Sequence, residues 1–186
     1  MKKLLLLLLL LIISAVYIIK QKEASKIQPI NYKNQFSTTE KKVLQAARTI
    51  IDSAYYGSFV TLDKNNQPKI RVMEPFKPDK HFVIYLATNP RSRKVQEIKN
   101  NSTSSLHYFD KKRVGYVSLY GQSEIVHNDS IKKALWKAGW ERFYKNQGDD
   151  YMLIRFTPNY LEVISIPEGL TGDEKTWLPS QVKLTE

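Results

Sequence analysis

The chain has 186 residues, of which 42% are hydrophobic and 25% are charged, and its formal net charge is +11. This length suits one globular domain with a core of its own. The chain contains no cysteine, which excludes a disulfide framework, an iron–sulfur cluster, a thiolate metal site and a cysteine nucleophile. Its three histidines, His81, His107 and His127, are scattered and lack metal-ligand spacing, so we expect no metal site.

The positive charge is spread along the whole chain. Residues 1 to 26 hold five lysines and one glutamate, a net +4, and 11 minus 4 leaves +7 on the remainder. Those remaining charges are interspersed with acids, form no arginine-rich helix and match no nucleic-acid-binding motif. We therefore expect no nucleic-acid partner. A basic surface that faces anionic lipid or an anionic small molecule is the simpler interpretation.

The first predicted element is an apolar helix over residues 4–19. Its 16 residues, at about 1.5 Å each, give about 24 Å, somewhat short of a ~30 Å hydrocarbon core, and lysines at both ends can snorkel. Residues 1–20 therefore fit a transmembrane anchor or a signal peptide, and the lack of a clean small-residue cleavage site favours the anchor. We expect a single-pass membrane protein with its domain outside the cytoplasm, and export after signal-peptide cleavage is the alternative.

Residues 21–36 are polar and aperiodic, which predicts a linker, and residues 37–186 form the predicted domain. The domain opens at Ser37 with the spacing of a capping box and continues with an amphipathic helical pattern. That pattern predicts a helix that closes one end of a barrel. Extended runs over residues 58–62, 69–74 and 81–87 follow, separated by turn-forming residues.

A basic turn, Thr88 to Lys94, joins the third of these strands to a short predicted helix. Ser92 is a good N-cap residue, and a helix start offers unpaired backbone N–H groups and a partial positive charge. With Thr88, Arg91, Arg93 and Lys94 around that start, the turn can hold a phosphate dianion. A solvated basic turn without a ligand is the alternative interpretation.

The rest of the chain returns to strand patterns around one helical insertion. Strands are predicted over 103–109 and 114–126, and a later pair over 151–156 and 160–166 flanks Pro158. Six or seven short antiparallel strands predict a mostly β protein with flanking helices, closed into a small barrel. The insertion is predicted to begin at Asp129 and run to Tyr144, with an apolar stripe that should form core or dimer contacts: Leu135, Trp136, Trp140 and Phe143.

The order Thr-Asn-x-x-Ser-Arg-Lys after an apolar strand resembles the flavin-phosphate motif of the pyridoxamine 5′-phosphate oxidase-like split barrels, closest to the general stress protein 26 branch. The resemblance continues through residues 56–63, 68–73, 106–109 and 115–121 and covers about residues 38 to 183. It implies an FMN-binding split β-barrel that forms a homodimer, with the FMN near the subunit interface.

The resemblance also implies roles for individual residues. Arg93 and Lys94 would be charged ligands of the FMN phosphate, with Ser92 as a hydroxyl or backbone donor, and Thr88 would contact the flavin. The strand segment under the ring and phosphate corresponds here to Arg71, Val72, Met73 and Glu74. Tyr116 leads the strand that the partner subunit contributes, at the position where oxidase members carry a glutamine.

Two substrate contacts of the true oxidases are missing from this chain. Phe76 stands where they carry a lysine that contacts the substrate phosphate, and the C-terminal segment, from Trp177 onward, lacks their Arg-x-His. We therefore expect a flavin-dependent oxidoreductase of unknown substrate and redox partner, with no identified catalytic residue and without the vitamin B6 clamp. Two alternatives are a non-catalytic protein that binds flavin, heme or deazaflavin, and an envelope interaction protein that has lost its ligand.

Overall fold

The structure is a computed structural model and describes residues 36–184. Its first helix, α1 (Thr38–Ala54), buries one face that includes Val43, Ala47 and Ile50. These residues recur at intervals of three and four, so they lie on one side of the helix and pack against the sheet. The helix predicted at the start of the domain is confirmed.

Seven strands form one antiparallel sheet with short helices around it. The strands are β1 (Gly57–Leu62), β2 (Pro68–Met73), β3 (Ile84–Thr88), β4 (Thr103–Asp110), β5 (Gly115–Val126), β6 (Met152–Ser165) and β7 (Ser180–Lys183). The other helices are α2 (Arg93–Asn100), α3 (Asp129–Ala134), a 3-10 turn (Trp140–Arg142) and α4 (Gln147–Asp150). The strand order is β2-β1-β4-β5-β6-β3, with β7 paired to β6. The predicted mostly β structure with flanking helices is confirmed.

The sheet curls so that its two ends meet. Pro75, just after β2, forms a bridge to Leu86 of β3, and the backbone N–H of Phe76 donates to the carbonyl of Tyr85 at 2.8 Å. Side chains alternate between an inner face, where Phe59 and Leu106 are fully buried, and an outer face. Paired residues of neighbouring strands lie on the same face of the sheet. The strand register therefore shows whether a given side chain lies on the inner or the outer face.

Strand β6 runs unbroken through Pro158, whereas the sequence predicts two strands there. Its first part pairs with β3 as far as Phe156, and its second part pairs with β7 from Tyr160 onward. Pro158 therefore lies between the two partners on that edge, where no backbone N–H is required. On the opposite edge of β6, the pairing register with β5 shifts beside Gly121. This β-bulge accommodates the irregular backbone around Pro158.

Gly121 is expected to tolerate no side chain at this bulge. A Cβ atom there would lie 2.1 Å from the carbonyl oxygen of Thr157 and 2.6 Å from the Cα of Pro158. Both are backbone atoms, so Gly121→Ala should lower the free energy of unfolding by about 1–3 kcal/mol. Chemical denaturation of the purified protein measures this, and Gly148→Ala, whose Cβ would have only a side-chain atom at 3.7 Å, is the matched control. Equal stabilities of the two variants would contradict the expectation.

The predicted helical insertion is present but broken. Its first helix ends at Ala134, and Gly139, with φ of 86°, precedes the short turn at Trp140. A left-handed residue cannot continue a right-handed helix, so no single helix can run through Gly139 to Trp140. Trp140 is buried and packs with Trp136 and Tyr151, so the predicted core contact is confirmed for the tryptophans. Phe143 is exposed, so for this residue only the alternative, a dimer contact, stays a prediction.

The predicted N-terminal anchor and nearly all of the predicted linker lie outside the described residues. Within residues 36–184, no helix has both the length and the apolar character needed to cross a bilayer.

Candidate functional site

The predicted phosphate turn lies where β3 ends and α2 begins. Ser92 occupies the N-cap position of α2 in extended conformation, and α2 starts at Arg93. The Ser92 hydroxyl does not cap the helix; it lies 2.9 Å from Oγ1 of Thr88. The ammonium of Lys94 donates to the same Thr88 oxygen at 3.0 Å. Four of the predicted site residues thus lie together around one turn.

A buried carboxylate ties this turn to the sheet. Glu97 of α2 is 6% exposed, and its Oε2 accepts from Nη2 of Arg71 at 2.8 Å and from the hydroxyl of Thr61 at 2.5 Å. Its Oε1 lies 3.3 Å from Nε of Arg93. Arg71 also donates to Oγ1 of Thr61 at 2.6 Å and to the carbonyl oxygen of Phe59 at 3.3 Å. We call Arg71, Arg93, Lys94, Glu97 and Thr61 the cationic cluster.

Burial destabilises the charged forms of Lys94 and Arg71 in this cluster. The pKa of Lys94 is lowered from its ordinary value, first by desolvation and then by the nearby charge of Arg71, while Glu97 raises it and Arg93 lowers it further. The pKa of Arg71 is also lowered, mainly by desolvation, and the charge of Glu97 partly offsets this. Both cations would therefore be stabilised by a further negative charge beside them.

The cluster has an excess of two positive charges. Three cations, Arg71, Arg93 and Lys94, face one carboxylate, so 3 minus 1 gives +2. A phosphate monoester carries about −1.5 to −2 at pH 7 and accepts several hydrogen bonds. Its charge and its oxygen acceptors match the guanidinium, ammonium and hydroxyl donors around the start of α2. The donor set therefore fits a phosphate monoester.

The remaining predicted site residues lie on β2, directly after β2, and on β5. Val72 lies on the outer face and is 69% exposed; Met73 is half-buried. The carboxylate of Glu74 accepts from the Tyr55 hydroxyl at 2.8 Å and from the Lys137 ammonium at 2.7 Å. Tyr116 is paired with Phe109 of β4 and faces outward, on the opposite side of the sheet from Arg71. Within one chain, Tyr116 is therefore separated from the cationic cluster.

Arg91 does not join the cationic cluster. Its guanidinium pairs with Asp150 at 2.7 Å, and the side-chain amide of Asn89 donates to the same carboxylate at 3.3 Å. Arg91 thus connects the turn to α4.

Glu97 and Thr61 are absent from the sequence-based site. Glu97 could have been found, since it follows Arg93 by four residues, the spacing at which opposite charges meet on a helix. Thr61 has no comparable local signal, because it reaches Glu97 only through the packing of β1 against α2.

Comparisons with known proteins agree on the fold. A family model described as "pyridoxamine 5′-phosphate oxidase like" matches residues 41–168. No curated protein matches the sequence. Among solved structures, a Clostridium acetobutylicum protein related to general stress protein 26 of B. subtilis, of the pyridoxinephosphate oxidase family, is similar with a TM-score of 0.63 and 25% identity, over 77% of this chain and 95% of that chain.

Two more distant structures share the fold. A pyridoxamine 5′-phosphate oxidase-related, FMN-binding protein from Nostoc punctiforme has a TM-score of 0.55 and 12% identity, over 86% of this chain and all (100%) of that chain. A heme-binding protein from Mycobacterium smegmatis has a TM-score of 0.54 and 16% identity, over 66% of this chain and 53% of that chain.

Proposed function

The chain belongs to the pyridoxamine 5′-phosphate oxidase-like family, and from this premise we propose that it is an FMN-binding split-barrel flavoprotein with flavin-dependent oxidoreductase activity. The observation that carries the proposal is the excess of two positive charges where Arg71, Arg93 and Lys94 surround one buried carboxylate. FMN ends in a phosphate monoester, which is the ligand chemistry that this cluster fits.

Each part of the site has a role in this proposal. Arg71, Arg93 and Lys94 would bind the phosphate, with Ser92 and Thr88 as further hydroxyl groups, and Val72 to Glu74 would contact the flavin. When bound, FMN supplies the redox chemistry, and the protein supplies position and electrostatics. Because the flavin would supply the redox chemistry, the chain needs no acid/base or nucleophilic catalytic group of its own.

The outer face supports a homodimer in which each subunit completes the other's site. Ile70, Val72 and Phe109 are 65%, 69% and 57% exposed, and burial of such side chains is favourable. Tyr116 lies on the same face, so it can reach a flavin only on the partner subunit. Sedimentation velocity tests this, and a monomer at micromolar concentration in the presence of FMN would reject it.

Attachment to the membrane through residues 1–20 is a separate proposal. It rests on the apolar run of residues 4–19 and is tested by membrane fractionation with alkaline extraction. Recovery of the full-length protein in the soluble fraction would reject an anchor.

The test of the proposed function is an FMN titration of purified full-length protein. Binding should perturb the flavin absorption bands and persist through gel filtration, and riboflavin, which lacks the phosphate, should bind more weakly. Protein that takes up neither flavin would reject the proposal. A heme spectrum in the purified protein would favour the heme-binding alternative, a property of the Mycobacterium smegmatis protein of the same fold.

A further inference from the structure

A cleft that is separate from the cationic cluster lies beyond the end of β2. It is a cleft of about 500 Å³ between the C-terminal end of α1, the segment after β2 and the insertion. Its walls are largely apolar and aromatic, and include Ile51, Tyr55, Phe76, Tyr85 and Leu135. This volume and lining are typical of small-molecule sites in proteins.

One aromatic residue on the wall of the cleft, Phe76, packs against the buried Trp140 and against Lys137. The ring of Phe76 packs edge-on against Trp140, with centroids 5.6 Å apart. The ammonium of Lys137 lies 4.6 Å from the centroid of Phe76 and 5.4 Å from that of Trp140, a cation–π arrangement. Phe76 therefore places an aromatic ring at the cleft, with Lys137 beside it in the lining.

The two lysines at the cleft are paired with carboxylates, whereas the cationic cluster has an excess of cations, and the carboxylate of Asp79 also lines the cleft. Lys137 pairs with Glu74 at 2.7 Å, and Lys77 pairs with Asp52 at 2.9 Å. The pKa of Glu74 is lowered, first by the hydrogen bond from Lys137. Among the described residues that line the cleft, each lysine thus has a carboxylate partner, so an anionic ligand would find no excess positive charge there.

One residue that lines the cleft, Tyr108, has a neutral phenol hydroxyl. Tyr108 lines the cleft, and its buried hydroxyl has no hydrogen-bond partner within residues 36–184. Desolvation raises the pKa of this phenol, so it stays protonated and can donate. A ligand oxygen that accepts from it would satisfy an otherwise unpaired buried donor.

We propose that this cleft binds a flat, uncharged, apolar molecule that carries a carbonyl oxygen. Phe76 follows Arg71 by five residues, at most about 17 Å of extended chain, so the cleft and the cationic cluster lie at opposite ends of one extended segment. The identification of this ligand as the molecule that lies beside the flavin rests on the proposed function; its binding to the cleft does not.

The test compares two probes that differ by one charge, 1,4-naphthoquinone and 1,4-naphthoquinone-2-sulfonate, by calorimetric titration of the full-length protein. The wild-type protein should bind the neutral probe more tightly. Glu74→Gln removes the partner of Lys137, so the affinity ratio should shift toward the sulfonate by about five- to tenfold. Glu124→Gln, which frees Arg155 from a 2.8 Å ion pair outside the cleft, is the matched control and should leave the ratio unchanged.

A second pair of variants tests the aromatic contact without changing any charge. Phe76→Ala should weaken binding of the neutral probe about tenfold, whereas Phe143→Ala, at an exposed ring outside the cleft, should not. Tighter binding of the sulfonate by wild-type protein, equal shifts in the two glutamate variants, or no loss in Phe76→Ala would each overturn the proposal.

FMN titration of the same samples separates the two proposals. Binding of naphthoquinone without FMN binding would keep the cleft ligand and reject the flavin. Binding of FMN without naphthoquinone would keep the flavin and reject the cleft ligand.

Discussion

The double variant Arg93→Ala/Lys94→Ala is expected to bind FMN about 10²- to 10⁴-fold more weakly than the wild-type protein. Each side chain would donate a charge-assisted hydrogen bond to the phosphate, worth about 1.5–3 kcal/mol, and 1.4 kcal/mol corresponds to a factor of ten in affinity. The fold should survive, since Arg93 has a side chain that is 65% exposed and Lys94 contacts only the Thr88 hydroxyl among side-chain hydrogen bonds of the described residues. Absorption titration with FMN measures the change.

Two controls isolate the phosphate contribution. Lys111→Ala/Lys112→Ala removes the same charge from the exposed turn between β4 and β5 and should change FMN affinity less than threefold, as expected for distant, screened charges. Riboflavin has no phosphate, so its affinity should be equal in wild-type protein and in the Arg93/Lys94 variant. A parallel loss of riboflavin binding would mean that the two cations act on the ring or on the fold, and the phosphate assignment would fail.

The turn from Thr88 to Lys94 could be predicted from sequence because its chemistry is local. A strand, a turn and a helix start are contiguous, so the side chains of Thr88, Ser92 and Lys94 must lie close together whatever the rest of the fold does. Arg71 lies on another strand, and its role came from the family resemblance rather than from spacing. The structure brings it to Glu97 at 2.8 Å, which joins the local and the distant parts of the cluster.

Other features depended on long-range packing and could not be predicted. The hydrogen bond between Thr61 and Glu97 joins residues 36 apart in sequence, so no local sequence pattern indicates it. Strand β6 looks interrupted at Pro158, yet its two partners on that edge end and begin around the proline, and only the sheet order explains its continuity. The insertion has helical spacing throughout, but the left-handed Gly139 divides it.

The cationic cluster and the cleft lie at opposite ends of the β2 segment and differ in charge, which favours different ligands at the two places. Arg71 belongs to a cluster with an excess of two positive charges, whereas Glu74, three residues later, neutralises Lys137 beside an aromatic cleft. The cluster is complementary to the phosphate of FMN, and the cleft is complementary to a flat, uncharged molecule. A loss of phosphate affinity and a change of cleft selectivity should therefore be separable by mutation.

The largest expected loss of stability comes from Glu97→Gln. The carboxylate of Glu97 and the guanidinium of Arg71 are both well buried, with side chains 7% and 17% exposed, so loss of the negative charge leaves a buried cation without its partner. Such changes cost about 3–5 kcal/mol, which for a chain of this size lowers the midpoint of thermal unfolding by about 6–20 °C. Tryptophan fluorescence during thermal unfolding of the full-length protein measures it.

The response to phosphate tells whether Glu97 also sets the charge of the site. Without the carboxylate, the excess charge of the cluster rises from +2 to +3, so inorganic phosphate should raise the unfolding midpoint of Glu97→Gln more than that of wild-type protein, by ligand linkage. Glu124→Gln breaks a pair of the same 2.8 Å length whose side chains are 45% and 59% exposed. It should cost less than about 1 kcal/mol, and its response to phosphate should equal that of the wild-type protein because the cluster is intact. An equal phosphate response in all three proteins would mean that Glu97 only positions Arg71 and that the charge balance of the cluster does not govern its ligand.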